Sequence, residues 1–110
     1  PVCDIEYYRR ALDLLTKDRR CDVIVFSDDI EWCKDNFDSS FYFIEGENPA
    51  VDMILMSKCS HNIIANSTFS WWGAWMNENK SKIVVAPANW FGPAMDHQLQ
   101  HLIPQEWNKI

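Results

Sequence analysis

The sequence predicts an α/β protein built as a parallel sheet flanked by helices, and three observations carry that prediction. Short β-branched runs alternate with amphipathic stretches along the whole chain. The runs are continuously apolar, as in strands covered on both faces. Prolines, glycines and small polar residues mark the junctions. At 110 residues the chain fits one domain, and 47% hydrophobic with 24% charged residues is the balance of a folded globular protein, which excludes disorder as the main state. No repeat, low-complexity run or Gly/Ser linker divides it, so a single domain over 1–110 is expected.

The elements follow in order. From Asp4 to about Asp18, Ile5, Tyr8, Ala11, Leu12 and Leu15 form a helical stripe with Asp4 as the N-cap. "CDVIVFSDD" reads as a buried strand from Val23 to Phe26 with its loop, "DIEWCKDNF" as a short helix, and "SFYFIEG" as a second strand ending at Gly46. Asn48 followed by Pro49 is a cap and first turn, opening a helix from about Pro49 to Cys59. "HNIIAN" is a third buried strand, "STFSWWGAWMNEN" a loop feeding a helix, and "KIVVAP" a fourth strand stopped by Pro87. Beyond Pro93, up to "LIPQEWNKI", a short helix and an ordered tail are expected.

Composition narrows the functional classes. A net charge of −6 argues against nonspecific nucleic-acid binding, which needs clustered cations. There is no apolar run of transmembrane length and no secretory leader pattern. Cys3, Cys21, Cys33 and Cys59 are irregularly spaced and match no zinc pattern, so reduced thiols and a cytoplasmic location are expected.

Several residues admit both a structural and a chemical reading. After a parallel strand, Ser67, Thr68 and Ser70 open a helix whose first-turn amides form a ready anion site, with Phe69 as a buried anchor. Equally, Ser67 or Thr68 is a simple N-cap, and Trp71, Trp72 and Trp75 are core. Asp28 and Asp29 close the first strand, where α/β proteins bind ligands, or one of them caps the next helix. Asp52 lies in the first turn of its helix, where the dipole favours a carboxylate; it could also accept hydrogen bonds from a guanine edge. His61, His97 and His101 show no shared zinc spacing, and the arginine pairs at 9–10 and 19–20 look solvated.

Taken together, "VIVFSDDIEWCK", "DMILMSKCSHNIIANSTFSWWGAWMN" and "KIVVAPANWF" resemble the C-terminal region of the α-1,2-fucosyltransferases of glycosyltransferase family 11, in order and spacing across roughly residues 7–91. The resemblance implies a GT-B enzyme whose Rossmann-like C-terminal half holds GDP-fucose while an N-terminal half recognises a galactose-terminated glycan. This chain is then most of the C-terminal half, a fragment lacking the acceptor half, soluble itself and membrane-associated only through its parent. By the same resemblance Ser67, Thr68, Phe69 and Ser70 line the donor diphosphate, Asp52 reads the guanine, and Asp28 and Asp29 lie near the donor, with no metal. The family's H-x-R-R-x-D motif, which supplies the cation for departing GDP, has no counterpart here, so the catalytic base and that arginine are expected outside the chain. A sheet without its first strand would also expose unpaired backbone.

Two other classes remain. A noncatalytic carbohydrate-binding or interaction module would use Trp71, Trp72, Trp75 and Trp90 as an aromatic platform, and exposed tryptophans would favour it. A receiver-like phosphoacceptor domain would need an acidic cluster at the first strand and a lysine after the last, and both are missing.

Overall fold

The computed structural model describes residues 3–45, 48–88 and 103–110. Helices and parallel strands alternate as expected: α1 (Ile5–Thr16), β1 (Ile24–Ser27), α2 (Ile30–Asn36), β2 (Tyr42–Glu45), α3 (Pro49–Ser57), β3 (Asn62–Ile63), α4 (Thr68–Trp75), β4 (Val84–Ala86) and β5 (Asn108–Lys109). The strands form two parallel sheets, β1-β2 and β3-β4-β5. The first pairs Val25 with Phe43, and the second pairs Ile63 with Val85 and Val85 with Asn108. The expected helix beyond Pro93 falls largely outside the described residues. Its tail contributes β5 and places Ile103 and Trp107 in the core.

The helices start where local chemistry says they should. Asp4 accepts the Tyr7 N–H at 2.9 Å, Asp29 the Trp32 N–H at 3.3 Å, and Asn48 the Ala50 and Val51 N–H groups at 3.1 and 3.3 Å. Each side-chain oxygen satisfies a first-turn donor that has no partner within the helix. Pro49 adds its preset φ at the start of α3, which ends at Ser57, two residues short of the expected Cys59.

The buried stripe of α1 is rotated from the one expected. Tyr7, Ala11 and Leu15 are buried at i, i+4 and i+8, whereas Tyr8 and Leu12 are half-buried. A polar contact decides this: the Tyr7 hydroxyl lies 2.6 Å from the Ile64 carbonyl and 3.1 Å from that of Val85, donating to both. Apolar spacing alone could not anticipate a tyrosine chosen for its hydroxyl.

Burial differs between the sheets. Val84, Val85 and Ala86 of β4 are all buried, packed with Ile64, Ala74, Ile103 and Trp107 on one face and with α1 on the other. β1, expected to be buried, is half-exposed, with Ile24 exposed outright. Among the described residues it has a strand neighbour on one edge only, so its apolar run is covered less than that of β4.

Candidate functional site

In a βα unit each helix begins beyond the carboxyl end of the preceding strand, so the first turns of α2, α3 and α4 share one rim of the fold. That rim carries the residues singled out from the sequence: Asp28 and Asp29 after β1, Asp52 in α3, and 66–70 between β3 and α4.

The loop before α4 is held by its own hydroxyls. Ser67 is the N-cap, its Oγ accepting the Ser70 N–H at 3.1 Å. The two hydroxyl oxygens are 2.7 Å apart, and Ser70 Oγ donates to the Ala65 carbonyl at 2.8 Å. The chain of bonds is consistent if Ser67 donates to Ser70 and Ser70 donates to Ala65. Ser70 is buried, and its hydroxyl is engaged in shaping the loop. Ser67 and Thr68 are exposed, and Phe69 is half-buried rather than the fully buried anchor expected. The N–H groups of Thr68 and Phe69 have no partner among the described residues. Two outward amides at the positive end of a helix can receive an anion.

Helix α4 is fixed from behind. Gly73 meets α3 so closely that an added Cβ would lie 3.1 Å from Met56 Cβ, which accounts for the glycine among the tryptophans. At the carboxyl ends of the helices, Asn77 Nδ2 donates to the Cys59 carbonyl at 2.7 Å and to Asn62 Oδ1 at 2.8 Å, while Asn62 Nδ2 donates to the Met56 carbonyl at 2.8 Å. Lys82 Nζ closes the end of α4 by donating to the Ala74 and Asn77 carbonyls at 2.9 and 2.7 Å. The sequence reading missed this network. Asparagines at the end of a helix and the start of a strand were its only signal.

The tryptophans divide. Trp71 is half-buried against the core, with its ring centroid 5.9 Å from Trp107 and stacked on Trp75 at 5.3 Å and 9°. Trp72 and Trp75 are 44% and 53% exposed. The expectation that all three are core therefore holds only in part for Trp71 and not for the other two. Trp72, adjacent to Trp71, turns to a different face, while Trp75, one turn on, shares the face of Trp71 and lies stacked on it with its outer side exposed. Trp90 lies outside the described residues.

Asp52 is 8% exposed, and its carboxylate has no hydrogen bond among the described residues. It sits on the helix packed beside α4. Asp29 is engaged as the α2 cap, and its own N–H donates to Ser27 Oγ at 2.9 Å. Asp28 is exposed. No hydrogen bond joins Asp28, Asp29 or Asp52 to Ser67, Thr68 or Ser70 among the described residues. The two packed helices associate Asp52 with the α4 loop, while Asp28 and Asp29 belong to the other sheet.

The remaining candidates are structural. His61 Nδ1 accepts the Ile83 N–H at 2.8 Å, and partial burial, with Arg19 nearby, pushes its pKa below the usual histidine value. His97 and His101 lie outside the described residues. Arg9 pairs with Glu6 at 3.0 Å, and Arg19 donates to the Leu15 carbonyl at 2.7 Å. All four cysteines are free thiols, and burial raises the pKa of Cys3 and Cys59, away from thiolate chemistry. No group of three or more metal-ligating side chains occurs among the described residues, and no helix among them is long and apolar enough to cross a membrane.

Comparison with known proteins gives this rim a context. The family model described as glycosyl transferase family 11 matches residues 1–110. An O-antigen biosynthesis glycosyltransferase of Escherichia coli, WbnK, is 47% identical over 96 residues, covering 82% of this chain and 32% of that protein. An α-1,2-colitosyltransferase of the same organism is 45% identical over 98 residues, covering 82% of this chain and 33% of its own length. Human galactoside α-(1,2)-fucosyltransferase 1 is 33% identical over 82 residues, 68% of this chain and 22% of that protein. The chain thus spans about a third or less of the length of these curated relatives. No solved structure gives a significant match. With its whole length matched by the family model, the chain belongs to glycosyl transferase family 11.

Proposed function

We propose that this chain is the donor-binding region, the C-terminal half of a GT-B fold, of an inverting galactoside α-1,2-fucosyltransferase that moves fucose from GDP-fucose to the 2-hydroxyl of a terminal galactose. The observation that carries the reading is the first turn of α4, where a hydroxyl-locked loop leaves the Thr68 and Phe69 amides outward in a family 11 chain. The diphosphate rests on those amides and on the Ser67 and Thr68 hydroxyls, with Ser70 holding the loop in shape. Asp52, whose carboxylate has no hydrogen-bond partner among the described residues and is open to solvent on a residue otherwise 8% exposed, accepts from the guanine N–H edge. Asp28 and Asp29, at the end of β1, lie near the donor.

Transfer with inversion needs an acceptor hydroxyl in line, a base for its proton and support for departing GDP. This chain supplies the last through helix-terminal amides. The family's arginine motif has no counterpart in the sequence, so the cation that neutralises the leaving diphosphate comes from another part of the protein, as does the base. Transfer proceeds without a metal ion, so chelation leaves donor binding unchanged.

The test is titration with GDP and, in parallel, UDP, following backbone amide resonances. GDP is expected to shift the signals of residues 67–75, UDP to shift them less, and Asp52→Asn to weaken GDP on the order of tenfold. Equal responses to both nucleotides, or none in a folded sample, would overturn the assignment. A second reading rests on the exposure of Trp72 and Trp75: an aromatic face for a carbohydrate or another protein. If a galactoside shifts the indole signals of these two residues while GDP leaves 67–70 untouched, that reading replaces the first.

A further inference from the structure

The β3–β4 ladder stops where the chain turns toward α4, and residue 87 is the reason. The Asn62 N–H donates to the Ile83 carbonyl at 3.1 Å and the Ile64 N–H to the Val85 carbonyl at 2.9 Å. In a parallel pair each such residue also accepts, through its own carbonyl, from the residue two further along the partner strand, so the next rung would run from the N–H of residue 87 to the Ile64 carbonyl. Residue 87 is proline and has no N–H to give. The Ile64 carbonyl is met instead from α1: the Tyr7 hydroxyl lies 2.6 Å from it and 3.1 Å from the Val85 carbonyl, so its one proton is shared between the ends of two strands. Tyr7 is buried, and burial pushes its pKa well above that of a free tyrosine, so the hydroxyl stays a donor.

The next carbonyl along, that of Ala65, accepts from Ser70 Oγ at 2.8 Å. Two consecutive carbonyls are thus each held by a hydroxyl, one reaching in from α1 and one from α4. Together they fix the peptide planes through which β3 passes into 66–70, where Ser67 Oγ receives the Ser70 N–H and the first turn of α4 begins. The same end of α1 borders the loop a second time, with Cys3 Sγ 3.9 Å from Asn66 Oδ1.

We infer that Tyr7 is a positioning residue for the donor: its hydroxyl replaces the rung that Pro87 cannot make and so sets the direction in which the diphosphate loop leaves the sheet. The inference rests on the reading of 67–70 as that loop. Tyr7 acts through Ile64 and Ala65 rather than on the ligand. A tyrosine present for packing alone would need no hydroxyl, and a ladder ending in any residue with an N–H would need no tyrosine.

The test uses Tyr7→Phe, the same change combined with Pro87→Ala, and Leu15→Val, which disturbs α1 about two turns away from the loop. Hydrogen exchange of the Ser70 amide is read without nucleotide and GDP affinity by titration, each beside the stability of the variant measured by denaturation. Tyr7→Phe is expected to speed Ser70 exchange on the order of tenfold and to weaken GDP about fivefold, beyond what Leu15→Val does at a comparable loss of stability. Pro87→Ala returns an N–H to the rung and is expected to recover most of both losses. Ser70 exchange unchanged by Tyr7→Phe, an equal effect from Leu15→Val, or no recovery with Pro87→Ala would each overturn the inference, as would faster exchange with GDP affinity intact. If the wild type itself shows no GDP response, the donor reading fails, and Ser70 exchange alone still decides whether Tyr7 positions the loop. Should Tyr7→Phe give no dispersed spectrum, recovery of dispersion by Pro87→Ala supports the inference, and its failure overturns it.

Discussion

Val23–Phe26 and Ile83–Ala86 read alike as sequence, two short β-branched runs closed by a turn, yet they end in different surroundings. In β4 every residue is buried between strands on both edges and layers on both faces. In β1 none is buried, and among the described residues only β2 pairs with it. The residues are equivalent in type, so the difference lies in their neighbours. A parallel strand is buried by what lies beside it as much as by its own composition.

The sharpest way to break this comparison is to remove one aromatic ring from each half. Trp107→Ala, in the β4 core, is expected to cost about 3–5 kcal/mol, whereas Phe43→Ala in half-exposed β2 should cost about 1–2 kcal/mol. Chemical denaturation of both variants measures the gap, and equal losses would mean that the two halves are equally consolidated.

A smaller effect tests the seam between α1 and the better-packed sheet. Tyr7→Phe keeps the ring but leaves the Ile64 and Val85 carbonyls without their shared donor, at a cost of about 1–2 kcal/mol. The same substitution at the half-buried Tyr8 should cost less. If Tyr8→Phe proves as damaging, the hydroxyl of Tyr7 is not what orients the helix.

How much could be read in advance follows from these cases. Helix starts were legible because Asp4, Asn48 and Ser67 act on their own first turns, and local chemistry needs no knowledge of the rest of the chain. Strand positions were legible from β-branched runs. The split of the sheet was not, since pairing depends on residues far apart in the chain. The Tyr7 hydroxyl, the Asn62–Asn77 pair and the exposure of Trp75 were likewise hidden, each set by a contact or its lack at long range. At the candidate site, Ser67 was legible as a cap. That Ser70 would spend its hydroxyl on Ala65 was not.

The smallest expected effect is a pH dependence at the start of β3. His61 has a folded-state pKa below its ordinary value of 6.5, so the unfolded chain takes up the proton more readily. Its contribution to stability is complete above that value and declines as pH falls from 6.5 toward the lower folded-state pKa. Melting temperatures of wild type and His61→Gln, followed from about pH 7 to pH 5, should converge slightly on the acid side. Parallel curves would remove His61 from the account.

The Asn62–Asn77 pair has one more consequence. Through the Met56 carbonyl it pins α3 to α4 where both helices end, whereas their opening turns carry Asp52 and Ser67 with no polar tie between them among the described residues. A change in the span between the Asp52 carboxylate and the hydroxyl loop would therefore break no hydrogen bond between the two opening turns among the described residues.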